Sequence, residues 1–436
     1  MKYIIVLILC LVIGASCKKE IITEVKIIPK NSKSISLTVD TINDSTLVLK
    51  WSKYIGNDFI SYSLNRISRI FKDGSFVNSP ESLKIFTDAD SLTYLEQNMK
   101  FATNISYFIT VNTDSSKNSI TSNVDYIRTD TYSQAPFTDV LIDRQQKVLY
   151  LIDEYGGNIS IYNYITNKLI NRINLKETIG YSALGTFEGT HELYIPTADG
   201  WLYIMDAVSL ILKDKIYVGG GEGLGSVVSD RGKLFVSTSD KSYSSFNESK
   251  AIKIYDRKSK KLLARTGLLY YTRLVPLENT ELEFIDIALS PSNLKYYKLD
   301  SEGGLITVYN HNHSGSINPH IIRSFPDGKK FITSTSGSIF TKELKLERKL
   351  DFSNSSGSGK YSDFAFNSSA SIIYGALLNK KTIEAIAYPA ITIEQTFTTK
   401  LFPEKIFRDG NLLICISKEA KSYGNSNIFF IEKFDL

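Results

Sequence analysis

Short runs that alternate apolar and polar residues, divided by turn residues, recur along the chain from residue 34 onward. Ile35, Leu37 and Val39 alternate first, then Leu47, Leu49 and Trp51, then Tyr62 and Leu64. Ile105, Tyr107, Ile109 and Val111 alternate later. Successive side chains of a strand point to opposite faces, so a period of two marks a half-buried strand. Asn43-Asp44, Gly56-Asn57-Asp58 and Asp73-Gly74 supply turns. About seven short strands in roughly 100 residues predict a β-sandwich over 34–129.

From residue 130 the pattern becomes a repeat. Thr138 to Asn163 aligns without a gap to Ile285 to Asn310: Asp139 meets Asp286, Tyr150 meets Tyr297, and Gly156-Gly157 meets Gly303-Gly304. Weaker copies start near Gly189, Arg231, Asp327, Asn367 and Asp409. Tyr150, Tyr194, Phe235, Tyr297, Phe331, Tyr374 and Ile414 give seven marks, separated by 44, 41, 62, 34, 43 and 40 residues. The irregular pair reads as an insertion over Leu268 to Glu283 and a fourth unit without a full outer strand. Strand quartets at this period predict a β-propeller over 130–436 with about seven four-stranded blades. Asp130 to Ala135 is expected to supply the outermost strand of the last blade, closing the ring.

Two resemblances rest on these residues. The first segment, with Trp51 on its second strand and Leu95 before the sixth, resembles a fibronectin type III domain. The repeats, with a Gly-x-Ile-x-x-Tyr-Asn strand and no Trp-Asp dipeptide, resemble the WD-repeat and YVTN-type propellers. Both imply architecture rather than activity.

The N-terminus adds a location. Lys2 precedes an apolar run from Ile4 to Ile13, then Gly14, Ala15 and Ser16; this is a signal-peptide pattern, too short to span a bilayer. Cys17 follows at once, and Ala15-Ser16-Cys17 resembles the lipobox of bacterial lipoproteins, although Gly14 stands where that family usually has Leu. The resemblance implies a signal peptide over 1–16, lipid on Cys17, an anchor or linker over 17–33, and a cell-envelope protein of the outer membrane. Cys415 is then the one cysteine left without lipid in the mature chain, a small hydrophobe in an apolar strand. A net charge of +5, with Lys and Asp/Glu interspersed, shows no basic stripe for nucleic acid.

Candidate chemistry sits on loops. The face carrying the turns between second and third strands should present Tyr155, Tyr243, Glu302 and Tyr423, joined by Glu222, Tyr270 and Tyr271 from connections between blades. Tyrosines with acidic residues in a concavity suit a glycan or a peptide. Gly219 to Gly225 lacks the Lys-Ser/Thr of a P-loop and reads as an inter-blade turn. Of the four histidines, His311, His313 and His320 cluster, and His311-x-His313 on a strand would make half of a metal site. No nucleophile elbow or His-Glu-x-x-His motif is present.

These observations lead to one expectation and one alternative. The chain is expected to be a lipid-anchored, non-catalytic module binding a protein or a carbohydrate through its propeller face, with no cofactor. The alternative is a metal-assisted carbohydrate lyase or lactonase using the histidines at the channel mouth.

Overall fold

A computed structural model describes residues 34–436 except 44, 73–74, 103, 115–118, 129–130, 134–136, 220–222, 240–250, 268–271, 290–291, 312–316, 351–359 and 420–427. Every described element is a β-strand, and the strands form nine antiparallel sheets. Two of them face each other as a sandwich. One holds Leu37–Asn43, Thr46–Trp51 and Thr93–Glu96; the other orders Ser75–Phe86, Phe59–Lys72, Asn104–Thr113 and Ile120–Ile127. The predicted alternation fills the space between them: Leu47, Leu49, Tyr62, Leu64, Ile105, Tyr107, Ile109 and Val111 are fully buried. Trp51 packs against Tyr62 and Phe86, with ring centroids 5.9 and 5.1 Å away. Leu95, on the strand before the sixth, is half exposed, while its neighbour Tyr94 packs against the core.

The other seven sheets are the blades of a propeller. Their first strands are Asp139–Asp143, Ala183–Phe187, Gly223–Asp230, Thr272–Pro276, Ile322–Ser324, Tyr361–Phe366 and Phe402–Asp409, for blades 1 to 7 in order. These strands approach one another from blade to blade and so line the central axis. Seven apolar clusters fill the seven gaps between neighbouring blades, the last joining blade 7 to blade 1. Second strands are buried on both faces, which is why Val148–Asp153 reads as an almost unbroken apolar run. Blade 7 takes its outermost strand from before the first blade, since Thr131–Ser133 pairs with Ile428 to Phe430. Cys415 lies in this blade, fully buried and unpaired.

Blade 4 corrects the repeat alignment. Its strands are Thr272–Pro276, Glu283–Leu289, Ser292–Leu299 and Leu305–His311. Asp139 therefore sits on a first strand, but its aligned partner Asp286 sits on a second. Tyr150 is on a second strand and Tyr297 on a third. The stretch read as an insertion contains the innermost strand of blade 4, and the outer strand is present. Taking Ile285 in place of Tyr297 turns the separations of 62 and 34 into 50 and 46 (235 to 285, and 285 to 331). The cause of the slip is local. Asp153 accepts from Gly156 N at 3.0 Å, and Asp300 accepts from Gly304 N at 2.7 Å, followed or preceded by a glycine at positive φ. The same Asp-x-x-Gly-Gly sequence thus joins second to third strands in blade 1 and third to fourth strands in blade 4, although the aspartate closes on the third residue after it in the first and on the fourth in the second.

The sandwich meets the propeller at blade 7. Arg128, almost wholly buried, lies over the rings of Phe101 and Phe430, and these two rings are 5.2 Å apart.

Candidate functional site

Each first strand starts at one mouth of the channel, called here the upper mouth, where the turn Glu154-Tyr155 also lies. Asp139 of blade 1 and Arg273 of blade 4 are both buried there, and Arg273 Nη2 donates to each Asp139 oxygen at 3.3 Å. Arg273 Nη1 also donates to Pro319 O at 2.6 Å, and the guanidinium lies 4.3 Å from the centre of the Tyr181 ring. The Tyr181 hydroxyl, just before blade 2, is 2.9 Å from His320 Nδ1, just before blade 5. Lys405 of blade 7 donates from Nζ to His320 O at 2.6 Å. Residues of five blades are thereby tied together across the axis, and the ion pair and hydrogen bonds close the channel beneath its upper mouth.

Above this network is a depression of about 460 Å³, lined by Glu154, Tyr155, Tyr181 and His320 among others. Glycine is required in its wall. A side chain at Gly180 would meet Gly225 O at 2.5 Å and Leu224 O at 2.8 Å. Gly223 and Gly225 begin the inner strand of blade 3, so Gly223 to Gly225 belongs to a strand and not to an inter-blade turn.

The electrostatics follow from crowding. Burial lowers the His320 pKa to about 4, assisted by the cations of Lys405 and Arg273, so the ring is neutral at pH 7. Its edge still reaches solvent, which screens those cations. Burial, together with Asp139 and Asp153, pushes the Glu154 carboxyl above its usual range. Burial likewise lowers Lys405. The depression thus presents aromatic rings, a neutral imidazole, and the carboxyls of Glu154 and the ion-paired Asp139.

Of the residues singled out in the sequence, Tyr155 lies here, 79% exposed. Glu302 does not. It lies in the turn between the third and fourth strands of blade 4, on the opposite face, a consequence of the phase slip. Cys17, Glu222, Tyr243, Tyr270, Tyr271, His313 and Tyr423 lie outside the described residues. His311 ends the outermost strand of blade 4 whereas His320 precedes the innermost strand of blade 5, so sheet position separates them rather than clustering them. Among the described residues no group of three His, Cys, Asp or Glu could hold a metal ion. Sequence reasoning missed Asp139, Tyr181, Arg273 and Lys405. A signal existed: Arg273 and Lys405 are cations inside innermost strands, where a charge survives burial only with a partner.

No protein-family profile matches the chain, and a search of curated proteins found no match. Among solved structures, a chain of Kuenenia stuttgartiensis hydrazine synthase is similar, at a TM-score of 0.51 and 12% identity. The match covers 70% of this chain and 97% of that one. At that identity the likeness shows the fold alone.

Proposed function

We propose that the protein is a lipid-anchored cell-envelope lipoprotein whose propeller binds a carbohydrate or a peptide at its upper mouth, without catalysis. The observation that carries this reading is the depression above a closed channel, with Tyr155 exposed on its wall and Tyr181 and His320 at its floor. Aromatic faces with a few fixed polar groups suit a polar, uncharged ligand. The Ala15-Ser16-Cys17 signal supports lipidation and envelope location. A fibronectin type III-like spacer is supported by the strand arrangement of the sandwich, first-second-fifth against fourth-third-sixth-seventh.

The test is retention of the full chain on immobilised neutral oligosaccharides and envelope-protein peptides. At least one is expected to retain the protein, and Tyr155→Ala should weaken that retention about tenfold, a Tyr platform being a typical binding hot spot. Retention indifferent to both Tyr155→Ala and Glu154→Gln would contradict the site. Radiolabelled palmitate should enter the wild type and not Cys17→Ala.

A further inference from the structure

The lower mouth, where the first strands end, carries a different chemistry. A cavity of about 280 Å³ opens there between blades 5, 6, 7 and 1, under a loop from blade 4. Its lining includes Arg144, Arg323 and Arg408, and Glu278 is its one acidic residue. Arg323 is already engaged: Nη2 donates to Asp363 at 2.7 Å, Nε to Phe364 O at 3.3 Å, and its guanidinium lies over Phe407. The other two make no salt bridge among the described residues, although Arg144 lies near enough to Asp409 to favour its charged form. Arg144 Nε donates to the backbone oxygen of Arg408 at 2.7 Å. Arg408 Nε is buried with no hydrogen-bond partner. The acid next to Arg408 in the chain, Asp409, is held by Lys147 and Tyr164, each at 2.7 Å.

We infer that this lower mouth is a second binding site, for a small ligand bearing an oxyanion, either a carboxylate or a phosphate. Arg408 Nε is out of a ligand's reach, but its Nη atoms are not buried and make no hydrogen bond among the described residues, so they are free to donate to an incoming oxyanion. Guanidinium groups match carboxylate and phosphate in shape and can donate two parallel hydrogen bonds to either. Arg144 and Arg408 reach the cavity from adjacent blades, 1 and 7, so one small anion can take a bond from each. Arg323, fixed by Asp363, adds positive potential on the blade 5 side. The cavity has room for a monosaccharide acid or a phosphate.

The test is calorimetric titration of the full chain with inorganic phosphate, with glucuronate, and with glucose as the uncharged control. Phosphate or glucuronate is expected to bind one to one, more weakly as salt rises, while glucose gives no heat at this site. Arg408→Gln and Arg144→Gln should each weaken the anion by about tenfold, the worth of one charge-assisted hydrogen bond. Arg144 is exposed, so its variant keeps the test valid if Arg408→Gln fails to fold. Tyr155→Ala should leave anion binding unchanged, which separates this site from the upper one. Binding of phosphate alone would assign a phosphate ligand, and of glucuronate alone a carboxylate. Silence toward both anions at millimolar concentration, or affinity unchanged in both arginine variants, would overturn the inference.

Discussion

The two mouths of one channel differ in how their charges are settled. At the upper mouth Arg273 finds Asp139 across the axis, Tyr181 meets His320, and Lys405 is held by a backbone oxygen. At the lower mouth Asp363 settles Arg323, but Arg408 keeps a buried nitrogen without a partner and Arg144 has only a backbone oxygen. Both mouths are built from the ends of the same seven strands. The difference teaches that position in a repeat fixes where a side chain goes, while its partner decides what it can do. The upper mouth buries its cations, Arg273 against Asp139 and Lys405 against a backbone oxygen, and presents aromatic faces, whereas the lower mouth leaves Arg144 exposed without a salt bridge and is left to recognise anions.

The largest effect should come from breaking the cross-channel pair. Asp139→Asn leaves Arg273 buried without its counter-charge and should cost about 3–5 kcal/mol of stability in denaturant titrations. A cost below about 1 kcal/mol, in the range of an exposed pair, would dissolve the contrast between the mouths.

Asp286 sharpens the comparison from another side, because it is a buried carboxyl without a cation in hydrogen-bonding reach. Neither oxygen has a salt bridge, and burial raises its pKa to about 7, opposed by the Thr272 hydroxyl and by Lys295 on the neighbouring strand. Its folded pKa lies above the ordinary value of 3.8, so the folded state holds the proton more tightly. Stability is then fully present below about pH 4 and is lost as pH rises toward and through 7. Asp286→Asn should remove that slope, and its advantage over the wild type should grow by about 3–4 kcal/mol between pH 4 and pH 8. Parallel stability curves for the two proteins would show that Asp286 has a partner after all.

The smallest effect belongs to Tyr181→Phe, which deletes one hydrogen bond to an accessible imidazole. It should cost about 1 kcal/mol in the same titrations, with the ring still beneath the Arg273 guanidinium. A cost above about 3 kcal/mol would mean that the hydroxyl, and not the ion pair, holds the upper mouth together.

Much of this architecture was legible in the sequence. Period-two alternation located the sandwich core from Leu47 to Val111, and the recurring quartets gave the blades and the strand Thr131–Ser133 that closes them. The phase of blade 4 was not legible, because Asp153 and Asp300 head the same Asp-x-x-Gly-Gly sequence and nothing near them says which strands it joins. Glu302 was misplaced for that reason. The upper network was hidden for a different reason. Asp139 and Arg273 are 134 positions apart, and such a pairing depends on ring closure rather than on any local pattern.

The central claim is that the upper mouth is closed by a bond between blade 1 and blade 4. A double-mutant cycle on Asp139→Asn and Arg273→Met, followed by denaturant unfolding, tests it most directly. The account predicts a coupling of at least about 2 kcal/mol, with the double variant more stable than Asp139→Asn alone. A coupling near zero, with the two costs simply adding, would contradict it.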